Sequence, residues 1–295
     1  MLRMPQKLLI FIFILSLLCL NIHLSWASSL KLTVSISKGP EGKNLYQPLG
    51  MFFDPYNQRF YVADTGNNRL LSFSLNGTPL KSFDAGGQLK GPYSLVRDSK
   101  GKIWVVERPF NSLTEIDLKA HRFERHQLSC AGHPVLVDRI ALWQDYLLVL
   151  DRASGMVLLY DKDLSCVKSL RPDIEDFKGF FDFKVKNDRL WGLENLTGRI
   201  LALDLKSGKI LDMIRPKFLV SLPVSFELDN RGNFYLLDRY QKVVLVFDKS
   251  GRLKHRLFKR GYLPGELNYP WQLLLLQGKL LVLDEGNGRI DIWGH

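Results

Sequence analysis

The sequence predicts an all-β chain that folds as one six-bladed β-propeller with four-stranded antiparallel blades. Three observations predict it: a repeated strand–acid–turn–strand pattern, a steady repeat spacing, and a proline at a regular distance before the acid. The pattern occurs six times, with its acids 43, 44, 43, 44 and 46 residues apart. A period of about 44 residues with four short strands is typical of propeller blades. We interpret these acids as structural: Asp64, Glu107, Asp151, Glu194, Asp238 and Asp284.

Each repeat is predicted to begin with an inner strand that a proline opens. Proline suits the first residue of a strand because the ladder does not need its missing N–H. In five repeats a proline lies 14 to 17 residues before the acid: Pro48, Pro92, Pro134, Pro223 and Pro270. The fourth repeat has Gly179 and Phe180 there instead. Turns rich in Gly, Asn and Asp separate the strands. In the first repeat the predicted strands are Gly50–Phe53, Arg59–Ala63, Arg69–Ser74 and Pro79–Phe83.

The two ends of the chain are predicted to meet in the sixth blade. The last repeat holds only three strands before His295, and residues 30–37, LKLTVSIS, form a spare strand at the other end. We expect this strand to complete the sixth blade and close the ring. One propeller then accounts for residues 28–295.

Residues 1–27 are predicted to be a secretory signal peptide. Two basic residues precede an apolar run of 13 residues at 8–20, and the sequence SWA at 25–27 is typical of a cleavage site. The alternative is a retained anchor, although a membrane-spanning helix needs about 20 residues. The rest of the chain holds no apolar stretch long enough to span a bilayer. We therefore expect an exported domain, periplasmic or extracellular.

The composition excludes two classes of protein. A hydrophobic content of 46% excludes a disordered chain, and three cysteines are too few for a disulfide-dense scaffold. The 41 Lys and Arg against 30 Asp and Glu give a formal charge of +11. This excess favours an anionic partner such as nucleic acid, an envelope surface or a small molecule. Export disfavours nucleic acid as the partner.

Two stretches of the repeats resemble the NHL repeat. DTGNNRL from Asp64 and DEGNGRI from Asp284 match its acid-to-arginine part, and GYLPGELNYP at 261–270 matches its glycine-loop-to-proline part. The middle repeats match less closely. The resemblance implies a six-bladed propeller, and a lone propeller behind a short signal is typical of a bacterial protein. Related propellers include calcium lactonases, zinc lyases and RNA-binding domains, so it also implies alternative functions.

Arginines occupy two different positions in the turns after the acids. Repeats one, four and six have an arginine five residues after the acid, which we expect to neutralise it: Arg69, Arg199 and Arg289. The other three have one directly after the acid: Arg108, Arg152 and Arg239. Adjacent residues of a strand point to opposite faces, so these three either pair with the acid or project toward solvent or a ligand.

The inner strands offer few ligands for a metal. Calcium takes about six to eight oxygens, and only Asp182 is acidic among the residues that follow the strand openings. Glu227 lies farther along its strand and faces either the channel or the neighbouring blade. The histidines have no zinc-ligand spacing. We therefore predict no cofactor and assign no catalytic residue.

We predict a non-catalytic, monomeric binding scaffold that recognises a protein or an anionic envelope polymer. Its ligand-binding face is predicted to be formed by the blade-connecting loops, the turns after the acids and the adjoining inner-strand residues. The candidate binding residues are Tyr93, Arg108, Arg152, Lys178, Asp182, Arg239, Arg260 and Trp271. A propeller hydrolase or lyase with a central site is one alternative, and an RNA-binding NHL domain is another.

Cys130 and Cys166 remain after removal of the signal peptide. Export would permit a disulfide. However, Cys130 follows an outer strand and Cys166 precedes one in the next repeat, which places them near opposite ends of their strands. A disulfide needs a Cα separation below about 7 Å. This placement argues against a disulfide, and the sequence leaves open whether the two cysteines pair.

Overall fold

The structure is a computed structural model, and it describes residues 30–294. Six four-stranded antiparallel sheets are arranged as the blades of a propeller, which confirms the predicted fold class. The signal peptide predicted for residues 1–27 lies outside the described residues. Within residues 30–294, no helix is long and apolar enough to cross a membrane.

Each blade runs from an inner strand at the axis to an outer strand at the rim. Blade 1 contains β2 (Pro48–Asp54), β3 (Arg59–Asp64), β4 (Arg69–Ser74) and β5 (Pro79–Phe83). Blade 2 contains β6 (Pro92–Arg97), β7 (Ile103–Glu107), β8 (Ser112–Asp117) and β9 (Arg122–His126). Blade 3 contains β12 (Val137–Trp143), β13 (Tyr146–Asp151), β14 (Val157–Tyr160) and β15 (Cys166–Leu170).

The second half of the ring repeats this order. Blade 4 contains β16 (Asp182–Lys186), β17 (Arg189–Leu193), β18 (Ile200–Asp204) and β19 (Ile210–Ile214). Blade 5 contains β20 (Pro223–Leu228), β21 (Phe234–Asp238), β22 (Val243–Phe247) and β23 (Leu253–Leu257). Blade 6 contains β24 (Pro270–Leu276), β25 (Lys279–Asp284), β26 (Arg289–Gly294) and, from the start of the chain, β1 (Lys31–Ile36).

The ring is closed by the N-terminal strand, as predicted. β1 pairs antiparallel with β26, so that Ile36 lies opposite Ile290 and Lys31 opposite Gly294. Ile36 is buried in the apolar core that blades 6 and 1 share. The first strand of the chain and the last repeat are therefore parts of one sheet.

The core lies between neighbouring blades. The middle strands are buried on both faces, and every residue of β22 is buried. The outer strands alternate between half-buried and exposed residues, as β23 does. These patterns follow from position, because a middle strand is covered by two blades and an outer strand meets solvent on one side.

The strand-opening prolines are confirmed in four blades, and the prediction is wrong for the third. Pro48, Pro92, Pro223 and Pro270 each begin an inner strand. Pro134 instead ends a short hairpin of β10 (Ser129–Cys130) and β11 (His133–Pro134), and the inner strand begins at Val137. Blade 3 therefore carries an inserted hairpin that the repeat pattern conceals.

The same hairpin overturns the expectation for the cysteines. Cys130 and Cys166 form a disulfide, with their Cα atoms 5.2 Å apart. The chain does not pass directly from β9 into blade 3. The hairpin turns it back along the side of that blade, where the Tyr160 hydroxyl donates to the Ser129 carbonyl at 3.2 Å. This reversal brings Cys130 to the start of the outer strand β15.

Candidate functional site

The propeller presents two distinct faces. The loop face carries the loops that join successive blades and the turns that follow the repeat acids. The hairpin face carries the turns between the inner strand and the next strand, and between the third and outer strands. All eight candidate binding residues belong to the loop face or to the axial channel beneath it.

The six repeat acids are buried, and all of them accept a hydrogen bond from the backbone of a loop. Each carboxylate accepts a hydrogen bond from a backbone N–H of the loop that leads into its own blade, at 2.6 to 3.0 Å. The donors, in blade order, are the amides of Tyr46, Lys90, Leu136, Lys178, Ser221 and Asn268. An acid at this position therefore fixes the loop before the inner strand.

The arginines five residues after the acid differ in how closely they approach it. Arg69 Nε lies 2.7 Å from Asp64, and Arg199 Nε lies 2.6 Å from Glu194. Arg289 is turned toward Asp291, at 3.2 Å, and stays 3.6 Å from Asp284. Burial, which this distant arginine does not offset, raises the pKa of Asp284 to about 6.

Two of the arginines that directly follow an acid reach the next blade. Arg108 pairs with Asp138 of blade 3, and its guanidinium carbon lies 3.3 Å from the Tyr93 ring centroid. Arg239 Nη2 lies 2.6 Å from Glu285 of blade 6, and the group stacks 4.8 Å from the Trp271 ring centroid. Both arginines are therefore held in place by aromatic and acidic side chains.

The three remaining candidates of the loop face are exposed. Arg152 lies in the turn after the acid of blade 3. Lys178 lies in the loop between blades 3 and 4, and Arg260 in the loop between blades 5 and 6. The structure therefore brings together Tyr93, Arg108, Arg239 and Trp271, whereas these three are exposed side chains of separate turns and loops.

An aromatic cage closes the channel beneath the loop face. The ring centroids of Tyr93 and Phe181 lie 6.2 and 6.0 Å from that of Trp271. The guanidinium carbon of Arg139 lies 5.8 to 6.0 Å from all three centroids. The chain's own cation thus occupies the cage. Burial raises the pKa of the Tyr93 hydroxyl.

Below the cage, side chains at one register position join neighbouring blades. We call this set the polar ring: Ser94, Arg139, Asp182, Ser225 and Gln272. Gln272 of blade 6 accepts a hydrogen bond from Met51 N of blade 1 at 2.7 Å, and Arg139 of blade 3 donates to the Val224 carbonyl of blade 5 at 3.3 Å. Arg139 therefore spans the axis and blocks the channel.

Asp182 belongs to this ring, and both of its carboxylate oxygens are contacted by other groups of the protein. Its Oδ2 accepts hydrogen bonds from the Ser225 hydroxyl at 2.9 Å and from Phe226 N at 3.2 Å. Its Oδ1 lies 3.5 Å from Arg139 Nε. Gly50 fills the sixth position of the ring, where a Cβ would lie 2.3 Å from the Tyr93 carbonyl oxygen. The hydrogen bonds and the ion pair of the polar ring therefore connect the blades to one another.

Arg139 and Asp138 are the central residues that sequence reasoning missed. Taking Pro134 as the start of the inner strand assigned Val135 and Leu136 to the axis, whereas the strand begins at Val137. The available signal was the proline-to-acid spacing of this repeat, which at 17 residues is the longest of the five. Pairing the strand backward from the acid would have placed Arg139 on the axis.

Large hydrophobic side chains are concentrated on the loop face. Of the fifteen that are exposed within residues 30–294, ten lie there, and nine of these follow the loops and turns of blades 4, 5 and 6. We call these nine the apolar arc: Tyr46, Leu196, Phe218, Leu219, Leu222, Tyr240, Tyr262, Leu263 and Tyr269. The exposed large hydrophobic side chains of the described residues are therefore distributed unevenly between the two faces.

Metal-ligating side chains do not cluster in the described part of the chain. Within residues 30–294, no group of three or more His, Cys, Asp or Glu side chains could hold a metal ion. Of the channel carboxylates, Asp182 accepts the two hydrogen bonds described above, and Glu227 lies beside Lys184.

No protein-family model matches the sequence, and no curated protein matches it. The fold is similar to that of virginiamycin B lyase from Staphylococcus aureus, with a TM-score of 0.59, 14% identity, and coverage of 90% of this chain and 100% of that one. A gluconolactonase from Xanthomonas campestris gives a TM-score of 0.67 at 13% identity, with coverage of 90% and 89%.

A catalytically inactive histidine-to-alanine variant of the Staphylococcus aureus lyase, solved with quinupristin, gives a TM-score of 0.62 at 11% identity, with coverage of 90% and 100%. These structural neighbours are propeller enzymes. Identities this low show a shared fold and carry no activity across. The NHL resemblance stays a prediction.

Proposed function

We propose that the protein is an exported scaffold that binds another protein through its loop face. The apolar arc is the observation that carries this proposal. It is rich in tyrosine, and tyrosine is enriched in protein interfaces because it combines a large apolar ring with a hydrogen-bonding group. A wall polymer, which offers little apolar surface, would not need such an arc.

The charges around the arc favour an acidic partner. Exposed basic side chains flank it in the same loops: Lys38, Lys43, Lys178, Arg215, Lys217 and Arg260. Lys259 also lies there, but it is paired with Glu266 at 3.0 Å. Arg108 and Arg239 are already paired with Asp138 and Glu285. The peripheral lysines and arginines therefore supply the charge for a partner, and the arginines beside the axis contribute less.

Export is supported by the covalent structure. Disulfides form and persist in secreted and periplasmic proteins and are rare in the cytosol. The Cys130–Cys166 disulfide is therefore consistent with the predicted signal peptide. An oxidising compartment also disfavours the alternative of cytoplasmic RNA binding.

The docking surface is tested with a double variant, Leu219→Ser with Tyr240→Ser. Both side chains are 76% exposed, so the fold should tolerate the change. The matched control is Leu118→Ser with Leu211→Ser, whose side chains are 51% and 48% exposed away from the loop face. Each form is cross-linked in envelope extract of the producing cells, and the captured protein is identified and its affinity measured with purified components.

We expect wild type and control to capture the same acidic protein, and the loop-face variant to bind it at least about tenfold more weakly. Binding should also weaken as salt rises from about 0.05 M to about 0.5 M, because exposed charges are screened. Equal affinity of the two double variants, or affinity that does not change with salt, would contradict the proposal. Binding of a purified anionic wall polymer alone would favour the polymer instead.

An enzyme of the hydrolase or lyase class is the second candidate. The structural neighbours favour it at the level of the fold. Within this chain it is favoured by the carboxyl group of Glu227. Burial raises the pKa of the Glu227 carboxyl, as suits a general acid, although nearby Lys184 opposes the shift. Turnover of an ester or lactone that Glu227→Gln abolishes would support this candidate, and a panel of both left unconverted would contradict it.

A further inference from the structure

A cavity of about 960 Å³ lies along the axis and opens on the hairpin face, opposite the proposed docking surface. Its lining comes from the inner strands and from the turns that follow them. Arg139, Asp182 and Gln272 of the polar ring form its floor. A volume of this size lies at the upper end of the range of ligand pockets, about 300 to 1,000 Å³.

One residue from each blade lines the walls at a single register position, two residues beyond the polar ring. We call this set the lower ring: Phe52, Val96, Ala141, Lys184, Glu227 and Leu274. Four of its members are apolar. The two charged members, Lys184 and Glu227, lie on adjacent blades, so one sector of the wall is polar and the remainder is apolar.

The charges of this polar sector balance one another. Lys184 Nζ lies 3.3 Å from Glu227 Oε1 and 3.6 Å from Asp182 Oδ2. Asp182 in turn lies 3.5 Å from Arg139 Nε. Two cations and two anions thus share the sector. Only 19% of the Lys184 side chain and 14% of the Glu227 side chain are exposed, so a change in their balance would be weakly screened.

Two cations at the rim of the cavity are paired with acids, and a third, Lys186, donates to the Leu228 carbonyl at 2.9 Å and to Asn230 Oδ1 at 3.1 Å. Arg97 lies 3.0 Å from Asp54, and Lys102 lies 2.7 Å from Glu115. A charged ligand that reached the lower ring would lose its hydration and meet only Lys184 and Glu227, which are paired with each other, and this loss is costly. An uncharged ligand avoids this cost and still finds both hydrogen-bond donors and acceptors.

We propose that the axial cavity binds an uncharged, hydroxyl-rich ligand, an oligosaccharide. The Lys184 ammonium can donate to ligand hydroxyls while the Glu227 carboxylate accepts from them. The Phe52 ring and the Leu274 side chain offer apolar surface to the carbon faces of sugar rings. The site is separate from the docking surface, because Arg139 blocks the channel between the two faces.

Three trisaccharides of similar size test the charge requirement by calorimetric titration of the intact protein. The neutral probe is triacetylchitotriose, the cationic probe is its deacetylated form, and the anionic probe is trigalacturonate. We expect the neutral probe to bind at least about tenfold more tightly than either charged one, because neither charge is compensated in the cavity. A charged probe that binds as tightly as the neutral one, or no binding by any of the three, would overturn the proposal.

Two nearly isosteric variants then change the net charge of the polar sector in opposite directions. Glu227→Gln leaves Lys184 in excess and should improve the binding of trigalacturonate relative to the neutral probe about tenfold. Lys184→Met leaves an anion in excess and should improve the cationic probe in the same way. Leu118→Ser with Leu211→Ser is the control, and unfolding midpoints verify that each variant folds. Unchanged ratios in two folded variants would overturn the proposal.

Discussion

At the scale of single residues, equivalent acids share a backbone role and differ in charge environment. Glu194 accepts hydrogen bonds from Arg199 Nε at 2.6 Å and Thr197 Oγ1 at 2.7 Å. Burial alone would raise its pKa, but these donors lower it. Asp284 holds its arginine only at 3.6 Å, and burial raises its pKa to about 6.

These two acids should give stability opposite pH dependences. The lowered pKa of Glu194 contributes stability above the unfolded value of about 4.3, and the contribution is lost as the pH falls through the folded pKa. The raised pKa of Asp284 acts in reverse, because the folded state holds the proton more tightly. Its cost grows as the pH rises from about 4 to about 6 and reaches about 3 kcal/mol.

Urea unfolding of wild type, Glu194→Gln and Asp284→Asn between pH 7 and pH 3 measures the two effects. At pH 7, Glu194→Gln should lose about 1.5 to 3 kcal/mol, because Arg199 loses its buried charged partner and keeps only the exposed Asp176. This deficit should shrink on acidification below pH of about 4. For Asp284→Asn, the free energy of unfolding should instead fall increasingly below that of wild type as the pH drops from about 6 to about 4. Two differences that move in the same direction would contradict this account.

At the scale of elements, the inserted hairpin of blade 3 depends on its disulfide. Cys130 and Cys166 are 36 residues apart, and a cross-link that closes a loop of this size contributes roughly 3 to 4 kcal/mol. The double variant Cys130→Ser with Cys166→Ser should have a free energy of unfolding in urea that is lower by this amount. A reductant should lower the free energy of unfolding of wild type to the same value. A wild-type midpoint that does not respond to reductant would show that the pair is not cross-linked in solution.

The blades could be predicted from the sequence because each repeat carries the same local signals. The predicted strands of the first repeat match β2 to β5 closely, since a buried acid and flanking apolar runs mark every turn. The hairpin could not be predicted, because it replaces a loop of ordinary length and leaves the period unchanged. Because the hairpin includes Pro134, the inner strand begins at Val137, and this later start concealed Arg139.

The candidate site was predictable only in part, for a related reason. Tyr93, Trp271, Arg108 and Arg239 could be assigned to the loop face from strand order alone. Their partners could not, because Asp138 and Glu285 lie on neighbouring blades and their approach depends on how the blades pack. Pairing between blades is a tertiary property with no fixed spacing in the sequence.

At the scale of the whole molecule, the axial channel is divided into two separate environments. The loop face carries exposed aromatic and basic side chains, and its axis is closed by the Arg139 cage. The hairpin face carries a concave cavity in which Lys184 and Glu227 are paired with each other. Both the start of β1 and the end of β26 lie on the hairpin face, because Lys31 pairs with Gly294 there. The proposed docking surface is therefore remote from both ends of the described chain.

Closure of the ring by β1 should decide whether the propeller is stable as a monomer. A chain of residues 38–295 would lack β1, leaving β26 as an unpaired edge and exposing the core around Ile36. Burial of one such side chain contributes about 1.5 to 3 kcal/mol, and open edges promote association. We expect this chain to unfold at lower urea concentration than residues 28–295 and to self-associate in light-scattering measurements. A synthetic peptide of residues 31–36, but not its scrambled form, should restore the monomer by occupying the edge. A truncated chain that stays monomeric and equally stable would show that the five complete blades hold the ring without closure.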